Sequence, residues 1–379
     1  MNRTAGAVAV LSSCLGACMI VATLRAQAPA PAWSPRAAAA YLDGRQIWWQ
    51  SWPNASRDHD TFCISCHTAM PYAIARSALR APLSESAPSA PERALIENVT
   101  KRVRLWREVD PWYPDQLRGL PKTSESRGAE SIMNALVLAT RDAQSGMSGS
   151  MSDEGRMAFD NMWALQFKTG PQSGAWAWLN FGYEPWESVN SPYFGASLAA
   201  VAIGTAPGGY AASPDLQERL RPLRAYLNKG AKESNLVNRA LILWASSKLP
   251  GTLSAEERQS IIDALTSKQQ ADGGWSTALL ADYKRVDGST QDTATDGYAT
   301  ALVSYALQQA GVPRSKPAVA RGVAWLNQHQ DRTDGRWPAV SPNKQRDPAS
   351  DPAKFMSDAA TAFAVLALTE TPNERGTQR

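Results

Sequence analysis

The sequence predicts an all-α protein, and three observations predict it. From about residue 92 onward, helical patterns alternate with breaks rich in Gly, Pro and Asp. Val- and Ile-rich runs of alternating strand type are missing. A unit consisting of a helix, a Gln-containing turn that ends in Gly and Trp, a loop and a second helix of small residues recurs along the chain. Small side chains let helices approach closely, so the second helix of each unit suits the inner ring of a closed barrel of helical hairpins.

Taken in order, the run Ala37 to Trp49 (AAAAYLDGRQIWW) has helical character. Helices are then expected over Glu92–Val109, Ser126–Arg141, Asp153–Phe167, Pro192–Ile203, Pro214–Lys229 and Leu236–Leu249. Ala255–Gln270, Asp296–Ala310, Pro317–Gln330 and Ser357–Leu368 complete the set. Several open on a capping Ser or Asp, as in Ser254-Ala-Glu-Glu257, and close near Gly or Pro. The repeat is clearest between Ser267-Lys-Gln-Gln-Ala-Asp-Gly-Gly-Trp275 and Asn327-Gln-His-Gln-Asp-Arg-Thr-Asp-Gly-Arg-Trp337. Asp296-Gly-Tyr-Ala-Thr-Ala-Leu follows the first and Asp358-Ala-Ala-Thr-Ala-Phe the second. A looser copy runs from Gln166 through Ser173-Gly-Ala-Trp176 to Tyr193-Phe-Gly-Ala-Ser-Leu-Ala-Ala200. Gln and Trp in this setting can tie neighbouring hairpins together by hydrogen bonding and packing.

Composition bounds the rest. The chain has 379 residues, 44% hydrophobic and 20% charged, with a formal charge of +4. These are the proportions of a globular protein with a large core. Lys and Arg are scattered, which speaks against a nucleic-acid partner. Asn2-Arg3, the apolar run Ala5 to Leu24 and the small-x-small site Ala26-Gln27-Ala28 read as a secretory signal peptide over residues 1–28, placing the protein in the periplasm or otherwise outside the cytoplasm. Membrane association would come only from an uncleaved signal segment or from lipidation at Cys14 or Cys18, both of which lie inside the apolar run.

Cleavage after Ala28 leaves Cys63 and Cys66, in Thr61-Phe-Cys-Ile-Ser-Cys-His-Thr68, as the cysteines of the mature chain. A redox disulfide would sit at a helix start in a strand–helix alternation, which is lacking here. Zinc needs about four ligands, and His59 would have to be recruited at an unusual spacing. Cys-x-x-Cys-His accounts for all three residues as a haem c attachment site: thioethers from Cys63 and Cys66, one covalent haem, and His67 as the proximal iron ligand. Candidates for the distal iron ligand are His59 and Met133. Trp48, Trp49 and Trp52 could cover a porphyrin face or pack in the core. The expected organisation is a signal peptide (1–28), a haem c-binding segment (29–91) and the helical barrel (92–379).

With Gln…Asp-Gly-Gly-Trp275 and Gln…Asp-Gly-Arg-Trp337 in view, the chain resembles the squalene–hopene cyclase and prenyltransferase family, whose domains are α/α toroids. Together with Cys63-Ile-Ser-Cys66-His67, it resembles exported bacterial c-type cytochromes that carry such a repeat domain. The resemblance implies electron transfer with a redox partner protein, or an apolar, isoprenoid-like small molecule held in the toroid. The cyclase Asp-x-Asp-Asp triplet is missing. Asp292 and Asp296 stand near the matching helix start as a carboxylate pair that could share a proton, or as helix caps. Zinc prenyltransfer lacks its ligands, since no Cys follows Cys66. A second reading is an enzyme acting on a triterpenoid or a polysaccharide in the barrel. Glu184 and Glu187, in the aromatic loop Tyr183-Glu-Pro-Trp-Glu-Ser188, are the carboxylate candidates for the latter. A third reading is a protein-interaction scaffold.

Overall fold

The structure, a computed structural model, describes residues 33–145 and 149–370. The expected signal segment falls outside the described residues. The helices are α1 (Pro35–Ser51), α2 (Ala69–Ala75), α3 (Ala90–Arg104), α4 (Lys122–Gln144), α5 (Asp153–Ala164) and α6 (Ser191–Thr205). Then come α7 (Gln217–Glu233), α8 (Leu236–Lys248), α9 (Ala255–Ser267), α10 (Gly297–Gln309), α11 (Pro317–Gln328) and α12 (Phe355–Thr369). A two-stranded antiparallel hairpin, β1 (Ser56–Arg57) and β2 (Thr61–Phe62), lies between α1 and α2. One-turn helices occupy some of the loops.

Capping chemistry sets many of the helix starts. Ser89 and Ser254 form capping boxes with Glu92 and Glu257, and Ser34, Ser152, Asn235 and Asp296 each accept a first-turn N–H. The even-numbered helices are the apolar ones. In α10 every residue from Gly297 to Leu307 is buried, and α6 and α12 are nearly as enclosed. A helix apolar all round must be covered all round. The contacts satisfy this by closing a circle: α2 packs on α4, α4 on α6, α6 on α8, α8 on α10, α10 on α12, and α12 again on α2. The odd-numbered helices lie outside and wedge against this inner ring. The result is an α/α toroid of helical hairpins.

The Gln–Gly–Trp turns lock one hairpin to the next. The indole N–H groups of Trp176, Trp275 and Trp337 donate to the carbonyls of Met162 (2.6 Å), Leu265 (2.8 Å) and Leu326 (2.8 Å), near the ends of their own outer helices. All three rings are fully buried. The glutamine amides reach across. Gln166 Nε2 donates to Gly174 O and to Arg219 O on α7. Gln269 Nε2 donates to Gly273 O and to Ala318 O on α11. Gln330 Nε2 donates to Gly335 O (2.8 Å) and to Ser34 O (3.1 Å), while its Oε1 accepts from Ser34 N (2.6 Å). Two positions show why glycine is required in the turn. Gly174 (φ 93°) and Gly335 (φ 85°) are left-handed, and a Cβ there would lie 2.2 Å and 2.4 Å from the backbone oxygens of Pro222 and Ala37 on the next outer helix.

The Gln330–Ser34 bridge corrects one expectation. The described part of the segment read as a separate haem-binding unit is the first hairpin of the toroid, followed by the start of α3. It belongs there because α1 packs against α12 and α2 completes the inner ring. The centre of the ring is filled. Trp244 of α8 meets both Tyr305 and Phe363, and Phe363 of α12 meets Tyr298, all four side chains being buried. No helix among the described residues is long and apolar enough to cross a membrane.

Candidate functional site

Four loops that lead into inner helices converge on a cavity of about 200 Å³ at one mouth of the ring. The loop between α1 and α2 brings Cys63, Ile64, Ser65 and His67, under a cover of Trp49 and Trp52. The loop before α4 brings Trp112 and Tyr113, the loop before α6 brings Tyr183 to Glu187, and the loop before α12 brings Asn343 and Arg346. Stacking platforms beside polar groups are a common lining for a small-molecule site.

These loops are fastened from below. Asn98 of α3 accepts Phe62 N (2.8 Å) and donates to Phe62 O (3.0 Å), acting as a third rung on β2. Arg102, fully buried, pairs with the equally buried Glu130 and donates to Thr61 Oγ1 (2.7 Å) and Asp110 O (2.8 Å). That arrangement fixes the hairpin and the Trp112 loop relative to α4, with each end of the buried charge pair satisfied. Asn343 and the Glu184 backbone exchange two hydrogen bonds, at 2.7 and 2.6 Å, joining the loop before α12 to the loop before α6.

His67 is the best-oriented group in the cavity wall. Its ring stacks on Phe355 (3.7 Å between centroids) and meets Trp49 edge-on (5.1 Å). Nδ1 lies 2.8 Å from Thr68 Oγ1, and that hydroxyl donates to Asp358 Oδ2 (2.6 Å). Since the hydroxyl proton is committed to Asp358, Nδ1 carries the imidazole proton and Nε2 is the acceptor. Asp358 is also held by Tyr41 Oη (2.7 Å) and Arg45 Nε (2.8 Å). Burial, with the charges of Arg45 and Arg346 added, holds the His67 pKa well below the usual range, so the ring is neutral.

Glu187 is the second group of note. Its backbone is clasped by Phe181 and Tyr183, and burial alone pushes its carboxyl up to about 7. A carboxylic acid that keeps its proton near neutrality is suited to donate one. Its charge in turn helps raise the thiols of Cys63 and Cys66, both already raised by burial. Glu184 lines the same cavity and accepts from Asn190 Nδ2 (3.3 Å).

The other expected site residues lie elsewhere. His59 is exposed at the tip of the β1–β2 hairpin with Nδ1 on Asp58 (2.8 Å), and Met133 is fully buried inside α4; neither lines the cavity. Cys63 faces the cavity and its thiol contacts Tyr113, whereas Cys66 is buried away from it. A haem held by both sulfurs needs the two on one face of one pocket. The residues as arranged do not fit that group. Asp296 caps α10 by accepting Ala299 N (3.0 Å) and is further held by Thr277. Asp292 is exposed and accepts Ala294 N (2.9 Å).

No family model matches the chain, and no curated protein matches it. Among solved structures, a glycosyl hydrolase family 88 protein from Bacteroides vulgatus is similar at 11% identity, covering 89% of this chain and 92% of that one, with a TM-score of 0.36. A polysaccharide lyase is similar at 13% identity, covering 89% and 90%, with a TM-score of 0.34. Both scores fall below 0.5, so the fold assignment stands on the ring contacts described above. The resemblance to a c-type cytochrome with a cyclase-like domain is corrected. Among the described residues no group of three or more His, Cys, Asp or Glu is placed to hold a metal ion. The electron-transfer reading goes with it. The Cys-x-x-Cys-His spacing is local, whereas the direction each sulfur faces is set by the tertiary path of the loop.

Proposed function

We propose that this protein is a glycan-cleaving enzyme whose site is the aromatic cavity at the ring mouth, with Glu187 as general acid. The observation that carries the reading is the placement of Glu187 in a cavity lined by Trp49, Trp52, Trp112 and Trp186, where loss of water contact pushes its carboxyl up to about 7. Indole faces receive the C–H faces of sugar rings, and a proton held near neutrality can be delivered to the glycosidic oxygen as the bond to the anomeric carbon breaks. His67 Nε2, neutral and held through Nδ1 by Thr68, takes the proton from the attacking water. Asn343 and Arg346 supply donors on the facing wall. The glycan-acting neighbours in the structural comparison agree with this chemistry without carrying it.

The experiment is turnover by Glu187→Gln on a panel of glycosides in two forms, one with an alkoxide leaving group and one with 2,4-dinitrophenolate. The former should lose about 10²–10⁴-fold in kcat/KM, because its leaving oxygen needs the proton. The dinitrophenyl form should lose little, because its leaving group departs unprotonated. Equal losses on both forms would remove the acid role from Glu187.

A further inference from the structure

We infer that the glycan taken by this site is acidic, with a carboxylate or sulfate seated on Arg346 at the junction between the cavity and a neighbouring groove. This rests on the glycan-cleaving reading. The groove, of about 560 Å³, shares Ser341 and Arg346 with the cavity, so one ligand can occupy both. Five cations and two carboxylates line it. The carboxylates are engaged: Asp296 by Ala299 and Thr277, and Asp292 by Ala294. Two of the cations, Arg336 and Lys354, pair with Asp334 (2.5 Å) and Asp351 (3.4 Å). The remaining three have no carboxylate partner among the described residues. Arg285 donates to the carbonyls of Thr290 (2.6 Å) and Ser341 (3.1 Å) and lies 3.5 Å from Ser289 Oγ, while Lys344 and Arg346 form no hydrogen bond or ion pair there.

Position makes Arg346 the informative one. It lines the cavity that His67 and Glu187 also line, and its charge is one of those that keep His67 neutral. A planar guanidinium free of protein anions, in the cavity that the Glu187 carboxyl also lines, offers a forked set of donors matched to a carboxylate or a sulfate ester. A neutral sugar would leave this charge unmatched, whereas an acidic residue next to the scissile bond would be placed by it. Lys344 and Arg285 continue the positive lining away from the cavity, where further acidic residues of the same chain would lie.

The test is affinity electrophoresis and calorimetry of the full chain against polygalacturonate, dextran sulfate and neutral pullulan at about 0.15 M salt, where long-range attraction is screened. Wild-type protein is expected to bind at least one acidic polymer tenfold or more above pullulan. Which one it prefers identifies the anion as carboxylate or sulfate. Arg346→Gln should lose about 10- to 100-fold of that affinity, the scale of a charge-assisted contact, with an unchanged thermal melt. Arg221→Gln, on the outer surface of α7, should bind as wild type. Equal affinity for pullulan, no binding to any of the polymers, or an equal loss in Arg346→Gln and Arg221→Gln would each overturn the inference. Glu187-dependent cleavage of pullulan would leave the glycan-cleaving reading standing while this one falls. Arg346-dependent binding of an acidic polymer that is never cleaved would do the reverse.

Discussion

Burial pushes the Glu187 carboxyl from its ordinary 4.5 up to about 7, and the same burial makes stability depend on pH. Between these two values the folded chain holds a proton that the unfolded chain has released. Stability is therefore greatest below about pH 4.5 and falls as pH rises through 7, by about 3 kcal/mol for this one group. Glu187→Gln removes the charge and should be more stable than wild type at pH 8, with the advantage vanishing near pH 4.5. Urea melts at both pH values check it, and a constant difference would contradict the buried acid. The sequence showed this residue only as an acid in an aromatic loop, beside Glu184. Its burial depends on Trp186 and on the loops carrying Cys63 and Tyr113, none of which its neighbours in sequence reveal. His67 was visible for the wrong reason. Its motif suggested an iron ligand, whereas its contact with Thr68 and through it with Asp358, 290 residues beyond Thr68, is visible only in the fold.

Between elements, the glutamine bridges stand for the largest legible part of the fold. Gln166, Gln269 and Gln330 could be picked out because each precedes a Gly-x-Trp turn, and in each case the amide crosses to the next outer helix. Gln330 has the added task of joining the last hairpin to the first. Gln330→Ala leaves Ser34 N and Gly335 O without partners and should cost about 2–3 kcal/mol in a urea melt. It should also raise hydrogen exchange through α1, which an effect confined to the 330–337 turn would not. A loss below 0.5 kcal/mol would mean that the helix contacts alone close the ring. The first hairpin escaped the sequence reading for a physical reason: α2 is only seven residues long and no Gln–Gly–Trp turn precedes it. Its place in the ring is set by packing against α4 and α12, which are distant in sequence.

At the scale of the whole molecule, the toroid places loops from different hairpins over one mouth while its centre is filled by Trp244, Tyr298, Tyr305 and Phe363. A ring with a filled core and a site built from loops presents the cavity residues on a packed scaffold. The all-α class and the repeat could be read from local pattern and spacing. The cavity could not, because it is assembled from residues between 49 and 356 that only ring closure brings together. The most direct test of the account is the pH dependence of kcat/KM on a cleaved glycan. A wild-type rate that falls above about pH 7, with that limb gone in Glu187→Gln, is the predicted result. A wild-type profile flat from pH 6 to 9, or a limb that survives in the variant, would contradict it.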